Sequence, residues 1–347
     1  MRAKSRWRNV LILCYAFLTA AITSCGNQSA ILLKYKTGIR SILQDSKGNS
    51  WFGSYGEGVC LLRNGNLQYF TTENGLSDNQ VRSIYEDKSG IIWFECGRGL
   101  SVYNGKEMKI YKERNYDAKT EWGITENDLW FKGDEIEGYN KLEKYPGLYR
   151  YNGQKLSYHL FPVVPKADDG FKYYISTPFV RGKDGVVWFG SYGALIGYNG
   201  LNFKILDDKY FGLDARAGSL HIRSIMEDSK GNVWIGNNGI GVLKYNKEKV
   251  VNFTAQHKLK KEYTKGNSLE KVFSVGEDAV GNIWFGTSGS GVWRYDGTHI
   301  RNFTEADGLG SKHIWTIYKS KQGELWFGGA NPSGVYRFNG NSFERKY

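Results

Sequence analysis

The 347-residue sequence predicts an all-β fold, a single seven-bladed β-propeller of four-stranded antiparallel blades. Three observations carry that prediction. First, the phrase DSKGNSWFG at 45–53 returns as DKSGIIWFE from Asp87, DSKGNVWIG from Asp228, DAVGNIWFG from Asp278 and SKQGELWFG from Ser320. Second, Trp51, Trp93, Trp130, Trp188, Trp234, Trp284 and Trp326 recur at intervals of 42, 37, 58, 46, 50 and 42 residues, about the length of one blade. Third, short alternating apolar stretches between them are bounded by glycine turns, which is the pattern of strands and hairpins.

Each unit divides into four strands. The first reads IRSILQD, VRSIYED or IRSIMED, followed by an Asp-x-x-Gly turn and a second strand that carries the tryptophan. A third strand follows glycines, as in GEGVCLL, GIGVLKY and GSGVWRY. It ends at Asn104-Gly105, Asn152-Gly153, Asn199-Gly200, Asp296-Gly297 or Asn339-Gly340. These dipeptides suit type I′ hairpins, in which both central residues have positive φ. A fourth strand such as NLQYFTTE or HIRNFTEA completes the sheet. One such sheet cannot cover both its faces, so seven stack around an axis, each tryptophan packing on the next blade. The Asp-x-x-Gly turns read as structural, since they lack the alternating carboxylates of a calcium loop. SFERKY gives the last unit its own fourth strand, yet ILLKYK ahead of Ile39 has the same pattern; either could be outermost on blade seven.

The front end reads differently. Arg2, Lys4, Arg6 and Arg8 precede an apolar run from Val10 to Ile22 and the small residues of ITSC, ending at Cys25. That order is a secretory signal, and its 13-residue run is too short to span a bilayer. ITSC resembles a bacterial lipobox, which implies cleavage before Cys25 and lipidation of that cysteine. The expected division is therefore a lipoprotein signal peptide at 1–24, the lipidated Cys25 with a short tether and candidate closing strand at 25–38, and the propeller at 39–347. The mature protein would be exported and lipid-anchored to a bacterial membrane, facing the periplasm or the cell surface. Without the four signal cations, 43 Lys+Arg stand against 35 Asp+Glu, spread along the chain. This favours an anionic ligand or a membrane surface, and export argues against nucleic acid. Cys14 leaves with the signal and Cys25 is acylated, so Cys60 and Cys96 remain; an oxidising compartment would let them pair, but their spacing does not demand it, and they read as buried small apolar residues.

The pattern V-R-S-I-x-E-D-x-x-G-x-x-W-F-G…G-V…Y-N-G, from Ile39 to Tyr347, resembles the two-component regulator propeller repeat. The resemblance implies a periplasmic sensor region of the kind found in bacterial hybrid two-component systems, many of which respond to oligosaccharides. Those sensors usually carry two propellers, a further β-domain, a membrane helix and a kinase. With one propeller only, the expectation is an accessory ligand-binding component without its own kinase output, with a membrane sensor as a partner.

In an antiparallel blade, the loop after the second strand and the loop after the fourth emerge on one face, the top. The long segments GDEIEGYNKLEKYP, PVVPKADDGFKYY and TAQHKLKKEYTKGNSLE all fall there, where binding residues tend to sit. Eleven residues before most of the blade tryptophans stand Arg40, Arg82, Thr177, Arg223, Phe273 and Trp315, with Trp122 in the third unit. This position should line the mouth of the central funnel. Two residues earlier come His221, Lys271 and His313 in consecutive blades. Aromatics stack on the apolar face of a sugar ring and cations bind its carboxylate or sulfate, so the set Arg40, Arg82, Trp122, Arg223, Phe273, Trp315, His221, Lys271 and His313 is the candidate binding site for an anionic oligosaccharide or a protein partner. The alternative is a polysaccharide lyase, in which His221, Lys271 or His313 removes the proton α to a uronate carboxylate that Arg40 or Arg223 neutralises. The sequence has no zinc spacing, phosphate-binding glycine loop or Gly-x-Ser-x-Gly elbow, so no metal or cofactor is expected and binding is favoured over catalysis.

Overall fold

The computed structural model describes residues 31–111, 123–132, 147–160, 172–214 and 218–347. The leader at 1–24, Cys25, Trp122, the loop at 133–146 and most of the loop that joins blades three and four lie outside them. Among the described residues no helix is long and apolar enough to cross a membrane.

Among the described residues, twenty-seven strands follow one another around the ring in chain order. Blade one holds β1 (Ile39–Gln44), β2 (Ser50–Ser54), β3 (Val59–Arg63) and β4 (Asn66–Phe70). Blade two holds β5 (Val81–Glu86), β6 (Ile92–Cys96), β7 (Gly99–Tyr103) and β8 (Met108–Tyr111). Blade three holds β9 (Leu129–Lys132), β10 (Gly147–Tyr151) and β11 (Leu156–Leu160). Blade four holds β12 (Val180–Arg181), β13 (Val187–Ser191), β14 (Ala194–Tyr198) and β15 (Phe203–Asp207). Blade five holds β16 (Ile222–Glu227), β17 (Val233–Asn237), β18 (Val242–Tyr245) and β19 (Val250–Asn252). Blade six holds β20 (Val272–Glu277), β21 (Ile283–Thr287), β22 (Val292–Tyr295) and β23 (Ile300–Phe303). Blade seven holds β24 (His313–Lys319), β25 (Leu325–Ala330), β26 (Gly334–Phe338) and β27 (Phe343–Arg345). Every sheet is antiparallel and ordered as the chain runs. Blade three shows three paired strands among the described residues; 123–128, ahead of β9, form none.

The repeated phrase has a direct physical explanation. The Asp45 carboxylate accepts the backbone N–H groups of Lys47 at 3.0 Å and Asn49 at 2.8 Å, and the indole N–H of Trp51 at 2.9 Å. Asp228 does the same for Lys230, Asn232 and Trp234, and Trp93 and Trp284 donate to Asp87 and Asp278. The turn therefore fixes the tryptophan that joins the blades. Trp51 packs on Phe94 and Tyr103 of blade two, Trp93 on Phe131 and Tyr151 of blade three, and Trp234 on Phe285 of blade six. The carboxylates are occupied by N–H donors, which gives the turn a structural role.

The glycine after the aromatic pair is a close-approach residue. A Cβ at Gly53 would lie 2.2 Å from Ser41 Oγ and 2.7 Å from Val81 Cγ1 of the next blade. At Gly286 it would meet Ser274 Oγ and Ile314 Cγ2 at 2.2 and 2.8 Å. Blades two and three depart from this rule, with Glu95 and Lys132 at that place.

Ring closure is decided by β27, which pairs with β26. ILLKYK closes nothing: Lys34 N–H donates to Tyr69 Oη at 2.8 Å and Tyr35 Oη to the Phe52 carbonyl at 3.1 Å, so the segment runs along blade one without joining a sheet. Blades seven and one meet through Gln44 N–H donating to Tyr318 Oη at 2.8 Å and through the Tyr347 ring, centred 5.0 Å from Phe52 and 5.6 Å from Trp326. Cys60 and Cys96 are free and buried, and burial pushes their thiols up to about 12 and about 11.

Candidate functional site

Five of the innermost strands carry the same irregularity. The pairing register slips between Ile39 and Ser41, Val81 and Ser83, Ile222 and Ser224, Val272 and Ser274, and Ile314 and Thr316. The extra residues are Arg40, Arg82, Arg223, Phe273 and Trp315. A bulge of this kind bends the strand and re-aims a side chain. Here it breaks the in-out alternation: the bulged residue is turned to the channel, while the hydroxyl of the serine after it turns to the next blade, Ser41 Oγ donating to the Val81 carbonyl at 3.3 Å and Ser274 Oγ to that of Ile314 at 3.2 Å. Arg82 and Ser83, Arg223 and Ser224, Phe273 and Ser274, and Trp315 and Thr316 line one cavity of about 180 Å³, with Arg40 beside them.

The sequence-predicted residues therefore divide. Arg40, Arg82, Arg223, Phe273 and Trp315 come together on the cavity wall. Trp122 lies outside the described residues. Thr177 is fully buried and turned into the blade, where its Oγ1 accepts Gly190 N–H at 2.8 Å; its neighbours Ser176 and Pro178 line the cavity instead. His221, Lys271 and His313 do not line it. His313 stacks on Trp315 at 5.2 Å, and burial with the Arg223 charge pushes it down to about 4, so it is neutral near pH 7. His221 stands edge-on to Tyr192 at 4.9 Å and is lowered by the same two causes. Lys271 is exposed, its carbonyl accepting Ser288 N–H at 2.9 Å.

The cavity wall carries strong positive potential. The Arg40 guanidinium lies 5.0 Å from the Trp315 ring and 5.6 Å from Tyr55, and Arg223 lies 4.7 Å from Phe273. Among the described residues no carboxylate pairs with either head. Burial, and then Arg82 and Arg223, push Arg40 down to about 9. That still leaves it charged at neutral pH. Arg82 donates from Nε to Gln80 Oε1 at 2.8 Å.

One lining residue was not foreseen. Lys132, at the end of β9, is buried with its ammonium 3.8 Å from Glu95 Oε1, while its backbone N–H donates to Glu95 Oε2 at 3.0 Å. Burial lowers its proton affinity, Glu95 raises it, and Arg82, Arg40 and Arg223 lower it further; the net shift is downward. The signal was present in WFE and WFK, where the other phrases have glycine.

The sequence profile described as "Two component regulator propeller" matches residues 75–94, 218–239 and 308–331. Each stretch holds one bulged strand and its blade tryptophan. Those three stretches are two-component regulator propeller repeats. Among solved structures, the chain is similar in fold to the extracellular domains of two putative hybrid two component systems from B. thetaiotaomicron. One is 20% identical with a TM-score of 0.62, covering 91% of this chain and 39% of that one. The other is 19% identical with a TM-score of 0.63, covering 89% and 40%. Virginiamycin B lyase from Staphylococcus aureus shares the fold at 17% identity and a TM-score of 0.59, covering 88% of this chain and 96% of the lyase. A curated relative, Histidine kinase P4 of Formosa agariphila, is 28% identical over 183 residues, 48% of this chain. The matched stretch spans 12% of that kinase's length.

Proposed function

We propose that the propeller is a ligand-binding component of the sensor type, exported and held at a bacterial membrane through a lipid on Cys25, and that its funnel mouth takes an anionic oligosaccharide. The observation that carries this reading is the convergence of Arg40, Arg82 and Arg223 with Phe273 and Trp315 on one cavity. The half-buried guanidiniums of Arg40 and Arg223 have no carboxylate partner among the described residues, and charge-assisted bonds to a carboxylate or sulfate would supply one. The aromatic walls suit the apolar face of a sugar ring. The signal-like leader supports export, as does the extracellular placement of the hybrid-system domains that share the fold. A lyase gains no support from the geometry, since its three candidate bases do not line the cavity.

The test is a thermal-shift panel of uronate, sulfated and neutral oligosaccharides of matched length. An acidic oligosaccharide at about a hundred times its dissociation constant should stabilise the protein by about 2.7 kcal/mol, and neutral ones should not. Stabilisation should weaken as salt rises, because the mouth is open to solvent. An equal response to neutral sugars, or none to any saccharide, would overturn the reading. New double-bond absorbance during incubation would instead establish a lyase.

A further inference from the structure

The pair Glu95–Lys132 occupies two positions where the fold otherwise demands glycine. The five glycines there let one blade's inner strand lie against the next, with no room for a Cβ. Placing a buried carboxylate and a buried ammonium there gives up that close contact. One consequence is structural: Glu95 Oε2 accepts the Lys132 N–H, a backbone donor at the inner side of a blade with no paired inner strand among the described residues. The other bears on the channel. Because that backbone bond tethers Glu95, the carboxylate cannot follow the ammonium, and their 3.8 Å separation exceeds hydrogen-bonding distance. No hydrogen bond from the Lys132 ammonium is formed among the described residues, and the side chain lines the cavity.

We infer that the cavity is a site for a tetrahedral oxyanion, a sulfate ester or a phosphate group, and that Lys132 selects it over a carboxylate. The inference rests on the anionic-ligand reading above and narrows it. Its geometric basis is that the donors come from separated blades: Arg40 from blade one, Lys132 from blade three and Arg223 from blade five. A carboxylate has its lone pairs in one plane and is satisfied by the fork of one guanidinium. Cations approaching from several sides of an axis are matched by oxygens pointing in several directions. The Glu95 carboxylate opposes any anion, so the site favours a group whose oxygens reach Arg40, Lys132 and Arg223 together.

The experiment uses the purified chain with inorganic sulfate, inorganic phosphate and acetate as probes, and matched sulfated and unsulfated uronate oligosaccharides, read by calorimetry. The expected result is that sulfate or phosphate binds at least about tenfold more tightly than acetate. Removing Lys132 alone would leave Glu95 buried without its counterion, so the variant to use is the charge-neutral Glu95→Gln/Lys132→Met. It should lower affinity for the oxyanion about tenfold and leave the unsulfated uronate oligosaccharide within about threefold. Glu95→Gln alone should tighten oxyanion binding several-fold, which a purely structural pair would not do. Sulfated saccharide preferred over free sulfate and phosphate would assign the group to a sugar; the reverse would assign it to a free oxyanion. Equal binding of acetate and sulfate, or no tightening in Glu95→Gln, overturns the inference. If unsulfated uronate still binds through the arginines in that case, the broader function stands; if no acidic saccharide binds, both fall.

Discussion

Replacing Arg223 by alanine should weaken binding of an acidic oligosaccharide by tenfold to a hundredfold, about 1.5–3 kcal/mol, with little change in stability. Two features set that size. The guanidinium lines the cavity and has no carboxylate partner among the described residues, so its bond to a ligand is charge-assisted and partly shielded from water. It also lies 4.7 Å from Phe273, which holds the fork in place before the ligand arrives. Arg223→Lys keeps the charge and loses the planar fork, so it should recover only part of the affinity. Trp315→Ala should also weaken binding, by removing the stacking wall and the ring against which Arg40 lies. Calorimetric titration of the three variants measures this directly. Unchanged affinity in Arg223→Ala and Trp315→Ala would place the ligand elsewhere on the protein.

The largest stability effect is expected from Asp228→Ala, a loss of roughly 3–5 kcal/mol. That carboxylate holds the backbone N–H groups of Lys230 and Asn232 and the indole of Trp234, which is 1% exposed at the junction of blades five and six. Alanine leaves all three donors without an acceptor. Burial raises the carboxyl's proton affinity, but the bonds from Trp234 and Asn232 outweigh it and hold the group below the usual range. Its contribution is therefore complete above the unfolded value of about 4 and is lost as pH falls through the lower folded value. Urea midpoints of the wild type and Asp228→Ala should differ most at neutral pH and converge in acid. A constant difference from pH 7 to about pH 2 would show that the carboxylate's charge has no part in holding the turn.

Much of the architecture could be read from the sequence because each blade depends on short-range chemistry. The turn aspartate, the indole it holds and the close-approach glycine lie within nine residues, and all three recur. The funnel residues could be found by counting back from each tryptophan because the bulge falls at the same place in five blades. The bulge itself is a property of backbone pairing and leaves no compositional mark. His221 and His313 are not on the cavity wall; His313 stacks on Trp315 and His221 stands edge-on to Tyr192. Lys132 was legible by another comparison, since a lysine in a slot where glycine is sterically required is conspicuous. ILLKYK shows the opposite limit, for its strand-like alternation finds no sheet edge to join.

Neighbouring blades elsewhere are linked by the continuing chain, but blade seven meets blade one only through contacts such as those of Gln44 with Tyr318 and Tyr347 with Phe52. Arg40 and Trp315 face each other across this joint, 5.0 Å apart, at the edge of the cavity. A molecule bound to both would act as a clasp on a bracelet, and occupancy would be converted into rigidity of the whole circle. Amide exchange in β1 and β24 should slow when the cavity fills, more than in strands on the far side, and that stiffening is a signal a docked neighbour could sense without any change in shape.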